Sequence, residues 1–295
     1  MTKTRQPFVA GQFYPSRESE CRSEIDQYTQ PLADNAAPQG APLAGIAPHA
    51  GWVFSGATAG KVFRAIKDRA NPEIFIMFGA AHRAFTRTPV LYPSGAWNTP
   101  IGAVPVDEDA AAALADLAPS PPLLDPDLHD GEHSIEVLVP FVKRLFPDAR
   151  IVPVLVPPGP DAISFGDAAG RFIEASGGRA VAVASTDLTH YGRQYGFAPK
   201  GEGEDAHRWA KQVNDRRFID AALAFDAAAI LDGAALHHNA CGAGAAAAAV
   251  SAASRAGARN AALLEHVTSH EVMPRGRPTM FVGYAGMVFC LPENG

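Results

Sequence analysis

The sequence predicts an α/β fold: one domain, built as a sandwich around a mostly parallel central sheet. Three observations carry this. Apolar strand-like runs alternate with helical patterns along the chain; the strand runs end on small-residue turns; and no linker or internal repeat divides the 295 residues. Hydrophobic residues at 47% and charged residues at 19% are ordinary for a globular protein. The net charge of −6, with no dense Lys/Arg patch, argues against a general nucleic-acid binder. No apolar run reaches the roughly 18 residues of a membrane span, and Met1–Gln6 leads into no apolar stretch of a secretory signal. Cys21, Cys241 and Cys290 are odd in number and lack CxxC spacing, which predicts free thiols in a reducing cytoplasm.

The elements follow in order. Residues 16–30 read as a helix with acidic and basic residues on one face, and 34–40 as a loop. The first strand, Leu43–Ala47, ends at Pro48-His49-Ala50-Gly51, and residues 55–67 form the next helix. A second strand spans 73–79, Val90–Tyr92 is β-like, and Gly95–Pro100 reads as a turn. Residues 107–117 form a helix with an acidic first turn. The Pro/Asp-rich stretch 119–131 is long for a loop, as lids and binding loops are. Ser134 is placed to cap a helix over 135–146. Strand 151–156, helix 162–176 and strand 180–185 follow, then a Gly-rich loop over 191–205. Helices are expected over 207–223, 226–231 and, rich in alanine, 242–256. Strands 261–268 and 280–291 close the chain.

Ligands of open α/β sheets bind beyond the carboxyl ends of strands. Here three strand runs lead to His49, to His82, and to Asp187 with His190, residue types suited to a first-row transition metal at one rim. Asp187 could cap a turn, orient a histidine or bind metal. His190 has the unperturbed range of a general base. Cys241 precedes the Ala-rich helix, where a helix N-terminus favours thiolate and metal ligation; burial as a small hydrophobe is the equal alternative. Cys21 and Cys290 read as structural. Glu132, His133 and Glu136 crowd a helix start, either capping and salt-bridging it, or standing behind a metal ligand or contacting substrate. His129, His207, His266 and His270 read as surface or loop histidines.

Ala10-Gly11-Gln12-Phe13-Tyr14-Pro15, Pro48-His49-Ala50-Gly51-Trp52, Gly79-Ala80-Ala81-His82, Glu132-His133-Ser134-Ile135-Glu136, Ser185-Thr186-Asp187-Leu188-Thr189-His190-Tyr191-Gly192 and Cys241-Gly242 together resemble the Memo family. Its prokaryotic members are called AmmeMemoRadiSam system protein B. The resemblance implies the fold of class III extradiol (LigB-type) non-heme iron dioxygenases. It implies a metal site of two histidines and a cysteine, falling on His49, His82 and Cys241. It places His190 at the dioxygenases' active-site histidine, with Asp187 nearby as a second catalytic group. His133 and Trp52 are the expected substrate-contacting residues. Two departures stand out: Cys241 replaces the dioxygenases' carboxylate ligand, and Ala80-Ala81 stands where Pro-Ser is common.

The expected function is therefore a mononuclear non-heme site, with iron(II) as the ion and copper or zinc as competitors for a thiolate-bearing set. As an enzyme it would be a dioxygenase-like oxidoreductase using dioxygen and a small-molecule substrate. The alternative is a non-catalytic metal- or peptide-binding protein on the same scaffold. Zinc-assisted hydrolysis ranks third, since Asp187 is its one evident base. No nucleic-acid or membrane partner is expected, and exposed strand edges permit a homodimer.

Overall fold

In the computed structural model, residues 3–33, 40–83 and 86–293 are described; the expected loop at 34–39 lies outside them. The strands are β1 (Thr4–Arg5), β2 (Pro42–Ala47), β3 (Ile74–Gly79), β4 (Val90–Leu91), β5 (Ala96–Thr99), β6 (Gly102–Pro105), β7 (Leu123–Leu124), β8 (Arg150–Leu155), β9 (Ala180–Ser185), β10 (His190–Tyr191), β11 (Asn260–Thr268) and β12 (Phe281–Cys290). The helices are α1 (Glu18–Tyr28), α2 (Trp52–Arg69), α3 (Glu108–Leu117), α4 (Val139–Leu145), α5 (Pro160–Ala175), α6 (Glu204–Trp209), α7 (Arg216–Leu223), α8 (Ala227–His237), α9 (Ala243–Arg255) and α10 (Ser269–Val272).

The large sheet runs β10-β12-β2-β9-β3-β8-β4-β7, with β11 also paired to β12. Its centre, β2-β9-β3-β8, is parallel; β12 and β4 flank it antiparallel. Central parallel strands are covered on both faces and so read as continuous apolar runs. The runs PLAGIA, IFIMFG and AVAVAS are indeed wholly buried. Ile46, Ile76, Phe78, Val154 and Ala182 pack toward α5 and α9. Phe75, Met77, Ile151, Val181 and Val183 pack on the other face with Phe63 of α2 and Phe141 of α4. Cys21 and Cys290 lie in that second layer, in keeping with structural roles.

Registry sets up the site. Ala47 pairs with Ser185, and Phe78 with Ala184, so the carboxyl ends of β2, β9 and β3 lie level. With neighbouring strands about 4.8 Å apart, their exits emerge side by side.

Several expectations are corrected. Gly95–Pro100 is not merely a turn: β5 and β6 form a hairpin joined by β1. Trp97 is buried on its inner face, and Gly102, at φ +119°, makes the turn. Within the expected 119–131 loop lie β7 and a short 3₁₀ turn, Asp127–His129. The expected helix over 135–146 is shortened to Val139–Leu145, with Pro140 in its first turn, where a missing N–H costs nothing. Ser134 does not cap it; its Oγ donates to the Ala80 carbonyl at 3.2 Å. The helix expected over 207–223 is interrupted by a π-helical stretch, Ala210–Asp215. His129 is no surface residue. It is fully buried, with its ring bonded to the Val90 carbonyl. His266, half-buried, bonds to Asp215 at 3.0 Å, and His207 to Thr268 at 2.8 Å.

Candidate metal centre

His49 leaves β2 through Pro48, and the Asp187 carboxylate holds the turn. Asp187 Oδ1 accepts the His49 backbone N–H at 2.7 Å, and the carboxylate also takes the Ala50 N–H. Burial nevertheless pushes the Asp187 carboxyl up, to about 7. Its turn-holding role is thus the one the geometry displays. The His49 ring is fixed by Ser185, whose Oγ lies 2.8 Å from Nδ1. That leaves Nε2 facing inward, 3.2 Å from Cys241 Sγ. Burial, then the nearby His82 and His133, drive the His49 pKa well below its ordinary value, so the ring is neutral.

His82, beyond β3, is oriented by Glu132. The carboxylate accepts the His82 backbone N–H at 3.0 Å and lies 3.1 Å from Nδ1. It also accepts the backbone N–H of His133 and of Ser134, each at 2.9 Å. Burial opposes ionisation of Glu132, but these bonds win and hold it down at about 2. Burial likewise opposes a charge on His82, while its contacts with Cys241 and Glu132 raise its pKa. The His82 and His133 rings stack at 5.3 Å. Ligand-capable atoms of His49, His82 and His133 all lie within 4.8 Å of one another, a cluster that could hold a metal ion.

Cys241 reaches the rim because the start of α9 presses on the exit of β9. A Cβ at Gly242 would collide with the Ser185 carbonyl. Sγ accepts the Asp187 backbone N–H at 3.3 Å. The helix N-terminus does not lower this thiol as the sequence suggests. Burial pushes it up, outweighing the help from His82. Cys241 therefore stands beside the cluster as a neutral thiol whose ionisation would need a cation.

A cavity of about 420 Å³ opens before the cluster. The three histidines, Asp187 and His190 line it, with Phe13, Tyr195 and Tyr284 as apolar wall. His190 Nε2 is buried without a hydrogen-bond partner among the described residues, 4.0 Å from Asp187 Oδ2. Burial, then the charge of His82, lower its pKa to about 4, so it is a free base at neutral pH. A second cavity of about 310 Å³ lies against His190 and Tyr195 and reaches Cys241.

Trp52 is not among the lining residues. Its indole, 2% exposed, packs on Tyr14 and Phe141 and donates to the Val137 carbonyl at 2.9 Å. Sequence reading offered the Glu132 group a place behind the metal ligands, which Glu132 takes against His82, and missed Ser185 as the partner that aims His49. The available signal for Ser185 was its position at the end of β9.

A family model described as Memo-like protein matches residues 5–288. The chain belongs to the Memo family. A MEMO1 family protein of Pyrococcus furiosus is 36% identical, covering 96% of this chain and 98% of its own. Memo relatives from Thermococcus onnurineus and Archaeoglobus fulgidus are 35% and 33% identical, each covering 97% of this chain and 99% of their own. In fold, the chain is similar to the crystal structure of an uncharacterized protein, JW3007, from Escherichia coli K12. The TM-score is 0.52 at 16% identity, over 82% of this chain and 98% of that one. Among the described residues of this Memo chain, no helix is long and apolar enough to cross a membrane.

Proposed function

We propose that this Memo chain holds one transition-metal ion through His49, His82 and Cys241, with iron(II) as the resident ion, and oxidises a small molecule with dioxygen. The observation that carries the reading is the approach of His49 Nε2 to Cys241 Sγ at 3.2 Å. Metal–nitrogen bonds of about 2.0–2.1 Å and metal–sulfur bonds of about 2.3 Å place tetrahedral ligand atoms about 3.5 Å apart. The donor set therefore fits an ion. Both imidazoles have their Nδ1 committed to an orienting partner, Ser185 or Glu132, as metal-binding histidines do. A bound ion would displace the proton that Cys241 and Glu132 favour on His82, and two neutral imidazoles with one thiolate would then match the charge of a two-histidine, one-carboxylate iron site. Copper(I) and zinc compete for the same ligands.

A bound ion would supply Lewis acidity, stabilise the thiolate that burial disfavours, and, as iron, supply redox chemistry. The chain's own residues do the rest. Neutral His190, unpartnered at Nε2 among the described residues, accepts a proton from a substrate hydroxyl. Asp187 holds the turn that carries His49. Phe13, Tyr195 and Tyr284 exclude water from the substrate. A second reading, three-histidine ligation, is favoured by His133, which sits within ligand distance of the other two.

Protein purified without oxygen should carry about one iron per chain, and a panel of catechols should drive oxygen uptake. His190→Ala should abolish that uptake and leave metal content unchanged. Full uptake in H190A would remove His190 from the role of base; no uptake from the iron-loaded protein with any catechol would defeat the enzymatic reading in favour of metal or peptide binding.

A further inference from the structure

Beside the rim cavity lies another, of about 260 Å³. The two share Phe54, Ser269 and Met280 as wall residues, so one elongated molecule can occupy both. The far part is lined by Arg275, Arg277 and His270, and by no carboxylate. That is unusual placement in a chain of net charge −6.

The nearby acids are already engaged. Glu271 caps α10 with Thr268 and pairs with Lys211 at 2.6 Å. The Glu202 carboxylate pairs with Arg193 at 3.0 Å, and only its backbone carbonyl accepts from Arg277, at 2.7 Å. Arg275 donates to the Met273 sulfur at 3.0 Å. Among the described residues neither Arg275 nor Arg277 has a carboxylate partner. Arg277 is also seated: its Nε lies 2.8 Å from where a Cβ on Gly203 would be, at a backbone φ of +104° that favours glycine. A guanidinium docked on a glycine, with N–H donors left over, is prepared for a planar or tetrahedral oxyanion.

We propose that Arg275 and Arg277 form an anion subsite, and that the substrate of the rim is a molecule with an apolar body and a carboxylate or phosphate at its far end. The apolar body lies between Phe54 and Met280, and the anion meets the two guanidinium groups. The proposal deepens the reading of the rim as a substrate site and rests on it for the word substrate. The anion-binding test itself does not require a metal.

The test is calorimetric titration of the full chain with phenylacetate, 4-phenylbutyrate and 6-phenylhexanoate, with the matching neutral alcohols, and with 3-phenylpropyl phosphate. At one chain length at least, an anion should bind about tenfold or more tightly than its alcohol. Whichever of carboxylate and phosphate binds more tightly identifies the anion. The R275Q/R277Q variant should lose that preference and keep its metal content. His82→Ala should lose metal and keep the preference. Equal binding of anions and alcohols at every length, or a preference that survives in R275Q/R277Q, would overturn the subsite. Preference lost in H82A but kept in R275Q/R277Q would assign the anion to the metal instead. A chain that binds no metal at all would leave these comparisons readable and would count only against the metal centre.

Discussion

His49, at 2% exposure, and His129, at 0%, are both held neutral by burial, yet His49 lines the rim cavity while His129 is packed between aromatic rings. At the strand-end rim, His49 and His82 each spend Nδ1 on a fixed partner and are left in contact with the Cys241 sulfur at the cavity wall. Beneath β1, His129 is closed in by Tyr92 and Trp97. Its Nε2 is bonded to the Val90 carbonyl, and Nδ1 has no partner among the described residues. Nearby, Arg5 lies over Trp97 and pairs with Glu136 at 2.8 Å, both side chains 2% exposed. Both regions are rich in buried polar groups with shifted pKa values. Perturbation alone therefore does not mark the functional one. What marks it is an oriented donor left free at the wall of a cavity.

Substitutions should separate the two regions. The largest effect is expected from Glu136→Gln. Glu136 Oε1 accepts from the Phe8 and Val9 backbones and from Tyr14, while Oε2 pairs with Arg5. Removing the charge strands a buried guanidinium and should cost about 3–5 kcal/mol in chemical denaturation. Metal content per folded chain should not change. Loss of metal in folded E136Q would show the two regions to be one unit.

Glu132→Gln should do the converse. Metal affinity should fall about 10- to 100-fold, the usual effect of losing a partner that orients a ligand, measured by competition with a chelator. Stability of the metal-free chain should change less than it does in E136Q. Unchanged affinity would mean that Glu132 serves the backbone of the 132–134 turn and not His82.

The smallest effect concerns pH. Burial lowers His129 from an ordinary 6.5 to about 3. A depressed folded-state pKa gives stability that is complete above pH 6.5. It is drained as pH falls toward 3, because the unfolded chain takes up a proton that the fold refuses. The drain is about 1.4 kcal/mol per pH unit. Between pH 6.5 and 5, His129→Gln should therefore lose up to about 2 kcal/mol less than the wild type. Parallel stability curves for the two chains would refute the sealed, neutral state of His129.

Much of the rim was legible because its logic is local. The runs at β2, β3 and β9 are apolar from end to end, and each stops at a small-residue turn just before its polar group. Alanine marks α9. Registry between strands distant in sequence was not legible, yet it is what brings Asp187 under the turn that carries His49. Burial was not legible either. Trp52 looks like a contact residue in its motif, but its indole fills the apolar layer. His129 sits in a Pro/Asp-rich stretch that reads as solvated, but β1 and the β5–β6 hairpin fold over it. Cys241 showed its helix start in the sequence, but the desolvation that raises its thiol comes from packing against β9.

Whether sulfur joins two imidazoles on one ion is read most directly by X-ray absorption at the metal edge of anaerobically purified protein. One sulfur neighbour at about 2.3 Å with two or more nitrogens at about 2.0–2.1 Å is expected, with loss of the sulfur signal in Cys241→Ser. A first coordination sphere of nitrogen and oxygen alone, identical in wild type and C241S, would contradict it and favour His133 as the third ligand.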